Sequence, residues 1–184
     1  MNQLDKLLDQ YPFGELTELQ KDSLAFLLHK LSISVISDQK QQAYVLATIK
    51  HETADTYRPI KEYGKIGYLK SKKYYPYVGR GYVQLTWDFN YKKFGDILRV
   101  DLLGMPDLAQ KPEFAWKIIE LGMVKGLFTG RCLSDYFNSD ISNWFNARKI
   151  INGLDKADLI ASYARQIYKI ISVIEDIPEA RGIA

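Results

Sequence analysis

The fold is decided by residues 51–91, which read HETADTYRPIKEYGKIGYLKSKKYYPYVGRGYVQLTWDFNY. A long helical pattern ends where this stretch begins, and glycines and prolines then interrupt the chain repeatedly. We predict two or three short strands between Tyr57 and Thr86. Within residues 82–86 the side chains are expected to alternate between the two faces of a strand, with Tyr82, Gln84 and Thr86 on one face.

Helical patterns flank this stretch. Residues 39–53 are apolar on every side, which predicts a buried central helix. Two capping-box patterns, Thr17 with Gln20 and Asp38 with Gln41, precede helices. Further helices are expected over residues 2–10, 86–99, 112–125, 133–137, 141–151 and 156–174, with Asp155 as the N-cap of the last one. In that last helix we expect an inward face of Leu159, Tyr163, Ile167, Ile170 and Ile174. The fold class is therefore mainly α, an α+β domain with a small antiparallel β-sheet.

The whole chain has the size of one domain, residues 1–184, which forms either a single unit or two lobes that flank a cleft. Its hydrophobic fraction of 47% is enough for a core. A single cysteine, Cys132, excludes an internal disulfide framework and is expected to be buried. No apolar stretch is long enough to span a bilayer, and MNQLDKLLDQ does not resemble a secretory signal peptide. We therefore expect synthesis in the cytoplasm, with release by another agent if the protein acts elsewhere.

Positive charge is concentrated between Arg58 and Arg80, where seven lysines and arginines accompany one acidic residue, Glu62. Such a surplus suits an anionic partner, which could be a cell-wall polymer, nucleic acid or a membrane surface. A solvated lysine face is the alternative interpretation.

The catalytic possibilities narrow to a pair of glutamates. His51 is followed by no second histidine at metal-ligand spacing, and neither a phosphate-binding loop nor a Gly-x-Ser-x-Gly elbow occurs. Glu52 and Glu62 lie ten positions apart among eight of the thirteen tyrosines. Two carboxyl groups in such surroundings are what cleavage of a glycosidic bond requires. Glu52 falls in the last turn of a buried helix, where the helix dipole and burial both favour the protonated form that a general acid needs.

Four segments together resemble glycoside hydrolase family 19, the chitinase-like part of the lysozyme superfamily, and most closely its compact phage endolysins. The matching segments are AYVLATIKHETADTYRPIKEYG, YVGRGYVQLTWDFNY, PDLAQKPEFAWKIIELGMVKGLFTG and NARKIINGLDKADLIASYARQIY. Glu-Thr after a buried helix, GRG-x-x-QL-[ST] and ING form a specific combination. The chain departs from the family pattern where Asn-Gly-Leu-Asp replaces Asn-Gly-Gly-Leu-Glu, and it lacks the longer loops of the plant enzymes.

The resemblance implies a role for each matched residue. Glu52 corresponds to the general acid, Glu62 to the general base, and Thr86 to a residue that helps to hold the attacking water. Substrate binding is implied for Gln84, Asn90 and Asn152, and is also assigned to Arg80 and Tyr82. For Arg80 the alternative is that it fixes a loop through bonds to carbonyl groups. A supporting network is implied for Asp155 and Arg165, which would pair with the base, and for His51, which would pack beside the acid.

The resemblance also implies a lysozyme-like fold with a substrate cleft and an inverting mechanism, in which acid and base stand about 6.5–9.5 Å apart. We expect hydrolysis of the β-1,4 glycan strands of peptidoglycan by a monomer without metal, cofactor, nucleic acid partner or separate wall-binding domain. Such an endolysin would wait in the host cytoplasm until lysis. Two alternatives remain: a chitinase that cleaves GlcNAc polymer, and a module that binds wall polymer without cleaving it.

Overall fold

The computed structural model describes residues 5–172. The α-helices of this part are α1 (Lys6–Asp9), α2 (Glu18–Ser32), α3 (Gln39–Glu52), α4 (Ile66–Lys70), α5 (Asp88–Leu98), α6 (Pro112–Lys125) and α7 (Ala157–Ile171). The strands are β1 (Ile60–Lys61) and β2 (Arg80–Gly81), and 3-10 helices span Pro106–Gln110, Leu133–Asp135 and Asn146–Ile150. The predicted mainly helical α+β class is confirmed.

Helix α3 is the centre of the core, as its apolar pattern predicts. Every residue from Gln42 to Lys50 is buried, and the most extensive packing between two elements joins α3 to α7. The helix begins where the Asp38 carboxylate accepts bonds from the backbone N–H groups of Lys40 and Gln41. The reciprocal bond of a capping box, from the Asp38 N–H to the Gln41 side chain, does not form, and the Gln41 amide donates to the Phe137 carbonyl. The capping box of Thr17 and Gln20 is complete.

The inward face of α7 differs from the expected one at Leu159, whereas Ile167 is buried and Tyr163 and Ile170 pack against the core as predicted. Ile160, Ala164, Ile167 and Ile171 are buried, whereas Leu159 is 40% exposed. Two alanines on the buried face, at positions 161 and 164, permit a close approach to α3. At the contact with α3 the buried positions therefore include small alanine side chains, and the larger Leu159 side chain lies outside this contact. Residues 173 and 174, which the predicted helix included, lie outside the described residues.

The sheet is a single antiparallel pair, in which Ile60 lies opposite Gly81 and Lys61 opposite Arg80. The predicted alternation over residues 82–86 is wrong. The chain turns after Gly81, Gln84 has a left-handed backbone with φ of 51°, and Leu85 returns to form a bridge with Arg80. Tyr82, Val83 and Leu85 are consequently all buried.

Two other regions differ from the sequence-based expectation. The helix expected over residues 141–151 is only the 3-10 turn at Asn146–Ile150. The first helix is α1, while residues 2–4 of its predicted span lie outside the described residues.

Cys132 is half-buried and its thiol lies 3.2 Å from the Ser134 hydroxyl. None of the helices within residues 5–172 has the length and hydrophobicity that a bilayer-spanning segment requires.

Candidate active site

Glu52 ends α3, so the buried central helix of the core positions its carboxylate. The side chain is 15% exposed, and its Oε1 accepts a bond of 2.6 Å from Nη1 of Arg148. Arg148 is itself buried in the 3-10 turn at Asn146–Ile150. This ion pair places a cation directly beside the candidate acid. The sequence-based argument lacked this partner.

The predicted network of Asp155 and Arg165 around the base is wrong in two respects. The arginine of the network is Arg148, and its partner is the candidate acid Glu52. Asp155 takes part through its backbone, because its carbonyl accepts a bond of 3.1 Å from Nε of Arg148. Arg165 is exposed on α7. The bonds that the structure gives the Glu62 carboxylate go to Tyr74 and Gly79 instead.

The turn that follows Glu52 is held in an uncommon conformation. Ala54, Asp55 and Tyr57 all have left-handed φ angles, of 49°, 65° and 55°. Non-glycine residues adopt this region at an energetic cost, so the surroundings must impose it. The ammonium group of Lys50 lies 2.6 Å from Oδ1 of Asp55 and 4.5 Å from the centre of the Phe13 ring.

That lysine is almost completely buried and is also surrounded by two tyrosine rings, those of Tyr11 and Tyr163, at 5.8 Å and 4.9 Å. A second bond to the turn comes from Gln20, whose amide donates to the Asp55 carbonyl at 2.9 Å. Asp55 is therefore committed to fixing the turn, which argues against it as a substitute for Glu62 as the base.

Glu62 follows β1 directly. We call residues 60–81, which contain β1, α4 and β2, the hairpin, and this segment positions Glu62. Its backbone N–H donates to the Gly79 carbonyl at 2.7 Å, which extends the strand pair by one residue. Its carboxylate accepts two bonds, from the Tyr74 hydroxyl at 3.0 Å to Oε1 and from the Gly79 N–H at 3.1 Å to Oε2. Both oxygens are thereby oriented by neighbours on the same hairpin.

Tyr74 connects the base to an aromatic strip. Burial, followed by the bond to the Glu62 carboxylate, raises the pKa of the Tyr74 hydroxyl, so it remains a donor at neutral pH. Its ring meets Trp87 edge to face at 5.5 Å, and Trp87 stacks on Phe89 at 6.0 Å. Trp87 and Phe89 are 39% and 57% exposed. Exposed aromatic side chains beside the Glu62 carboxylate are suited to contact with the apolar face of a sugar. The density of aromatic residues in this stretch was the available signal, but it did not single out these three.

The remaining polar residues predicted on this side are half-buried. The Gln84 amide donates at 3.3 Å to the carbonyls of Ile60 and Gly81, which attaches it to the hairpin. Asn90 lies in the first turn of α5, where its amide donates to the Thr86 carbonyl at 3.0 Å. The structure therefore brings Glu62, Thr86, Gln84 and Asn90 to one side of the site.

Arg80 and Tyr82 are not available to a substrate. Arg80 is 4% exposed, and its guanidinium bonds the carbonyls of Pro76 and Val78, the Tyr91 hydroxyl and the Asp107 carboxylate. The loop-fixing alternative is thus the correct one. Tyr82 is 2% exposed and belongs to the hydrophobic core, where burial raises the pKa of its hydroxyl.

The other two predicted residues, Asn152 and His51, lie on the Glu52 side of the site. Asn152 is exposed, its N–H donates to the Arg148 carbonyl, and its side-chain oxygen accepts a bond from Gly153. It is thus attached to the same turn that presents Arg148 to Glu52. His51 is half-buried beside Glu52 on α3. The candidate residues fall into two groups, one at the end of α3 with its arginine turn and one on the hairpin.

An open groove of about 640 Å³ adjoins the hairpin group. Its lining includes Arg58, Ile60, Lys61, Glu62, Tyr63 and Ile66. We call it the basic groove, because Arg58 and Lys61 accompany Glu62 as its charged residues.

Comparison with known proteins places this geometry in a recognisable fold. No family model matches the sequence. An endochitinase of Carica papaya is 59% identical over 32 residues, and endochitinase 1 of Theobroma cacao is 50% identical over 42 residues. These matches cover 17% and 22% of the chain and 13% of each relative's length, so they are local.

Solved structures match nearly the whole chain. Chitinase C from Streptomyces griseus HUT6037 has a TM-score of 0.59 at 24% identity, covering 93% of this chain and 75% of that chain. A bacterial family 19 chitinase has a TM-score of 0.60 at 23% identity, covering 94% of both chains. A class IV family 19 chitinase from Zea mays has a TM-score of 0.56 at 18% identity, covering 93% of this chain and 91% of that chain. The resemblance seen in the sequence is confirmed: the chain has the chitinase-like fold of glycoside hydrolase family 19.

Proposed function

We propose that the protein is a glycoside hydrolase that cleaves β-1,4-linked polymers containing GlcNAc with inversion at the anomeric carbon. The observation that carries this proposal is the placement of Glu52 at the end of the buried helix α3 within the fold of family 19 chitinases. A second carboxylate, Glu62, is fixed by two hydrogen bonds on the hairpin. We propose that the two groups face each other across the substrate.

In this mechanism Glu62 accepts a proton from water, whose oxygen then attacks the anomeric carbon. Glu52 donates its proton to the glycosidic oxygen as that bond breaks, so one proton is taken up and one is released at each turnover. The bonds from Tyr74 and Gly79 orient the Glu62 carboxylate toward the water. Arg148 stabilises the carboxylate that Glu52 becomes after it has donated its proton. Solvent resets both groups for the next turnover.

Chitin is the substrate that the comparisons favour, because the similar proteins are named as chitinases. Peptidoglycan is the second candidate. It is favoured by the seven basic residues between Arg58 and Arg80 and by the basic groove beside Glu62. A role as a monomeric phage endolysin held in the host cytoplasm until lysis belongs to this second candidate.

The test is mass spectrometry of the products from chitin oligomers and from purified peptidoglycan. We expect new reducing ends in the mass spectra, the α anomer as the first product when the anomeric protons are followed by NMR, and no product from the Glu52→Gln variant. Circular dichroism of that variant should remain that of the wild type. If Glu52→Gln retains a substantial part of the wild-type turnover, then Glu52 is not the acid. Retention of polymer without any cleavage by the wild type would instead support the binding-module alternative.

A further inference from the structure

We propose that Tyr11 is a positioning residue, which holds the segment between the candidate acid and the candidate base and thereby fixes the distance between their carboxylates. This inference rests on the proposed function, because that distance matters only if Glu52 and Glu62 act together. Residues 53–59 join α3, which ends at Glu52, directly to β1, which precedes Glu62. We call them the connecting segment. An inverting hydrolase needs its acid and base about 6.5–9.5 Å apart, so the shape of this segment is part of the site.

The connecting segment begins with a turn whose own hydrogen bonds do not account for its shape. The Asp55 N–H donates to the Lys50 carbonyl at 2.9 Å, and the Tyr57 N–H donates to the Thr53 hydroxyl at 3.1 Å. These bonds coexist with left-handed φ angles at three positions, each of which costs free energy in a residue other than glycine. Contacts from elsewhere in the chain must therefore offset that cost.

The first such contact joins two tyrosine hydroxyls. Tyr57 is completely buried, and its hydroxyl lies 2.8 Å from the hydroxyl of Tyr11. Burial, followed by Tyr11, raises the pKa of the Tyr57 hydroxyl, so this group stays protonated and can form the bond. A buried hydroxyl that loses its partner is costly. Tyr11 therefore favours the conformation of the turn that keeps the Tyr57 side chain inside the protein.

The second contact reaches the turn through Lys50. The ammonium group of Lys50 lies 5.8 Å from the centre of the Tyr11 ring and donates to the Tyr11 hydroxyl at 3.4 Å. The same ammonium group lies 2.6 Å from the Asp55 carboxylate. Tyr11 thus acts on the turn at two positions, on Tyr57 directly and on Asp55 through Lys50.

Tyr11 is held by the N-terminal part of the chain and stands apart from the groove beside the base. It is half-buried after α1, and its ring meets Phe13 edge to face at 5.3 Å. It does not line the basic groove. Its effect on the reaction should therefore appear in the rate of the chemical step and leave substrate binding unchanged.

Two substitutions separate the hydroxyl from the ring. Tyr11→Phe keeps a ring over Lys50 and removes the bond to Tyr57, so kcat should fall about 2- to 10-fold, the range that one hydrogen bond gives, with KM unchanged. Tyr11→Leu removes both contacts, so its kcat should fall more than about 10-fold. The substrate is chitohexaose or purified peptidoglycan, whichever the wild type cleaves.

Hydrogen exchange followed by mass spectrometry measures the turn without reference to activity. The amides of residues 54–57 donate within the turn, so they should exchange faster in Tyr11→Phe than in the wild type, and faster still in Tyr11→Leu. The matched control is Tyr168→Phe. Tyr168 is a half-buried tyrosine of α7 that packs against Trp144, and its substitution should leave both kcat and the exchange of these amides unchanged.

The proposal is overturned if these amides exchange at the wild-type rate in both Tyr11 variants, or if kcat is unchanged while their exchange is faster. A rise in KM with kcat unchanged would also overturn it, because Tyr11 would then act on binding. Equal effects of Tyr11→Phe and Tyr168→Phe would show a general loss of packing instead. Failure of the proposed function is a separate result, in which the wild type releases no reducing ends from either polymer.

Discussion

The ion pair between Arg148 and Glu52 should contribute strongly to folding as well as to the site. Replacing Arg148 by methionine leaves a carboxylate that is 15% exposed without its cation. Removing one partner of a buried pair typically costs about 3–5 kcal/mol in the free energy of unfolding. Since water can partly reach Glu52, we expect the lower end of that range, about 3 kcal/mol, including the lost bond from Nε to the Asp155 carbonyl.

A double-mutant cycle isolates the pair from the other consequences of the change. The combined variant Arg148→Met with Glu52→Gln contains neither charge, so it should be less destabilised than the sum of the two single changes. We expect a coupling free energy of about 2 kcal/mol. Urea unfolding followed by tryptophan fluorescence gives each value, provided that the slope against denaturant is the same in all variants.

The matched control is Arg165→Met, because Arg165 is the exposed arginine of α7 that the sequence had assigned to this network. A surface substitution of this kind should change the free energy of unfolding by no more than about 0.5 kcal/mol. The reasoning is refuted if Arg148→Met costs no more than Arg165→Met, or if the coupling free energy is below about 0.5 kcal/mol.

Four further substitutions have expected outcomes. Glu62→Gln should nearly abolish hydrolysis, with partial recovery in azide, and normal rates for this variant would reassign the base. Tyr74→Phe should lower kcat only about 3- to 10-fold, because the bond to Glu62 is lost. Asp107→Asn should cost about 1 kcal/mol of stability at neutral pH, since the partner Asp is 70% exposed. Arg80 holds the pKa of Asp107 in the folded protein below its ordinary 3.8. The loss of unfolding free energy caused by Asp107→Asn should therefore be present above pH 4 and disappear as the pH falls through the pKa of folded Asp107. A loss that is independent of pH would contradict this. Lys50→Met should lower the free energy of unfolding by about 2 kcal/mol and also lower kcat, because the ion pair and the cation–π contacts of Lys50 that hold the turn after Glu52 are lost. An unchanged kcat would show that the turn does not position the candidate acid.

Periodicity was sufficient for the features that depend on local sequence. The all-round apolar pattern of residues 39–53 placed α3 in the core and Glu52 in its last turn. The capping box of Thr17 was visible for the same reason, because both of its partners lie within four residues. The strands between Tyr57 and Thr86 and the pair of Glu52 and Glu62 were also predicted from the residues, and the resemblance to family 19 added the roles of acid and base.

The errors arise where distant segments decide the environment of a residue. Arg148 lies 96 positions from Glu52 in the sequence, and no local pattern connects them. Arg80 was assigned to substrate binding, with the fixing of a loop as the alternative. Its burial depends on Asp107 and on Tyr91, which other elements contribute. The inward face of α7 was predicted correctly at Tyr163, Ile167 and Ile170, and it was wrong at Leu159, because α3 packs against the smaller residues Ala161 and Ala164.

Different parts of the structure hold the candidate acid Glu52 and the candidate base Glu62 in place, and this difference affects how the choice of glycan can change. Glu52 is held by α3 and by an arginine from a distant turn, so changes around it disturb the core and the stability of the whole chain. Glu62 is held by bonds within one hairpin, to Tyr74 and Gly79, and the groove beside it is open. Residues that line this groove can therefore change with little effect on folding. Substitutions at Arg58, Lys61 or Tyr63 should thus alter the choice of glycan while the unfolding free energy stays within about 0.5 kcal/mol of the wild type. The unfolding free energy of these variants, measured alongside their relative rates on chitohexaose and on purified peptidoglycan, tests that division of roles.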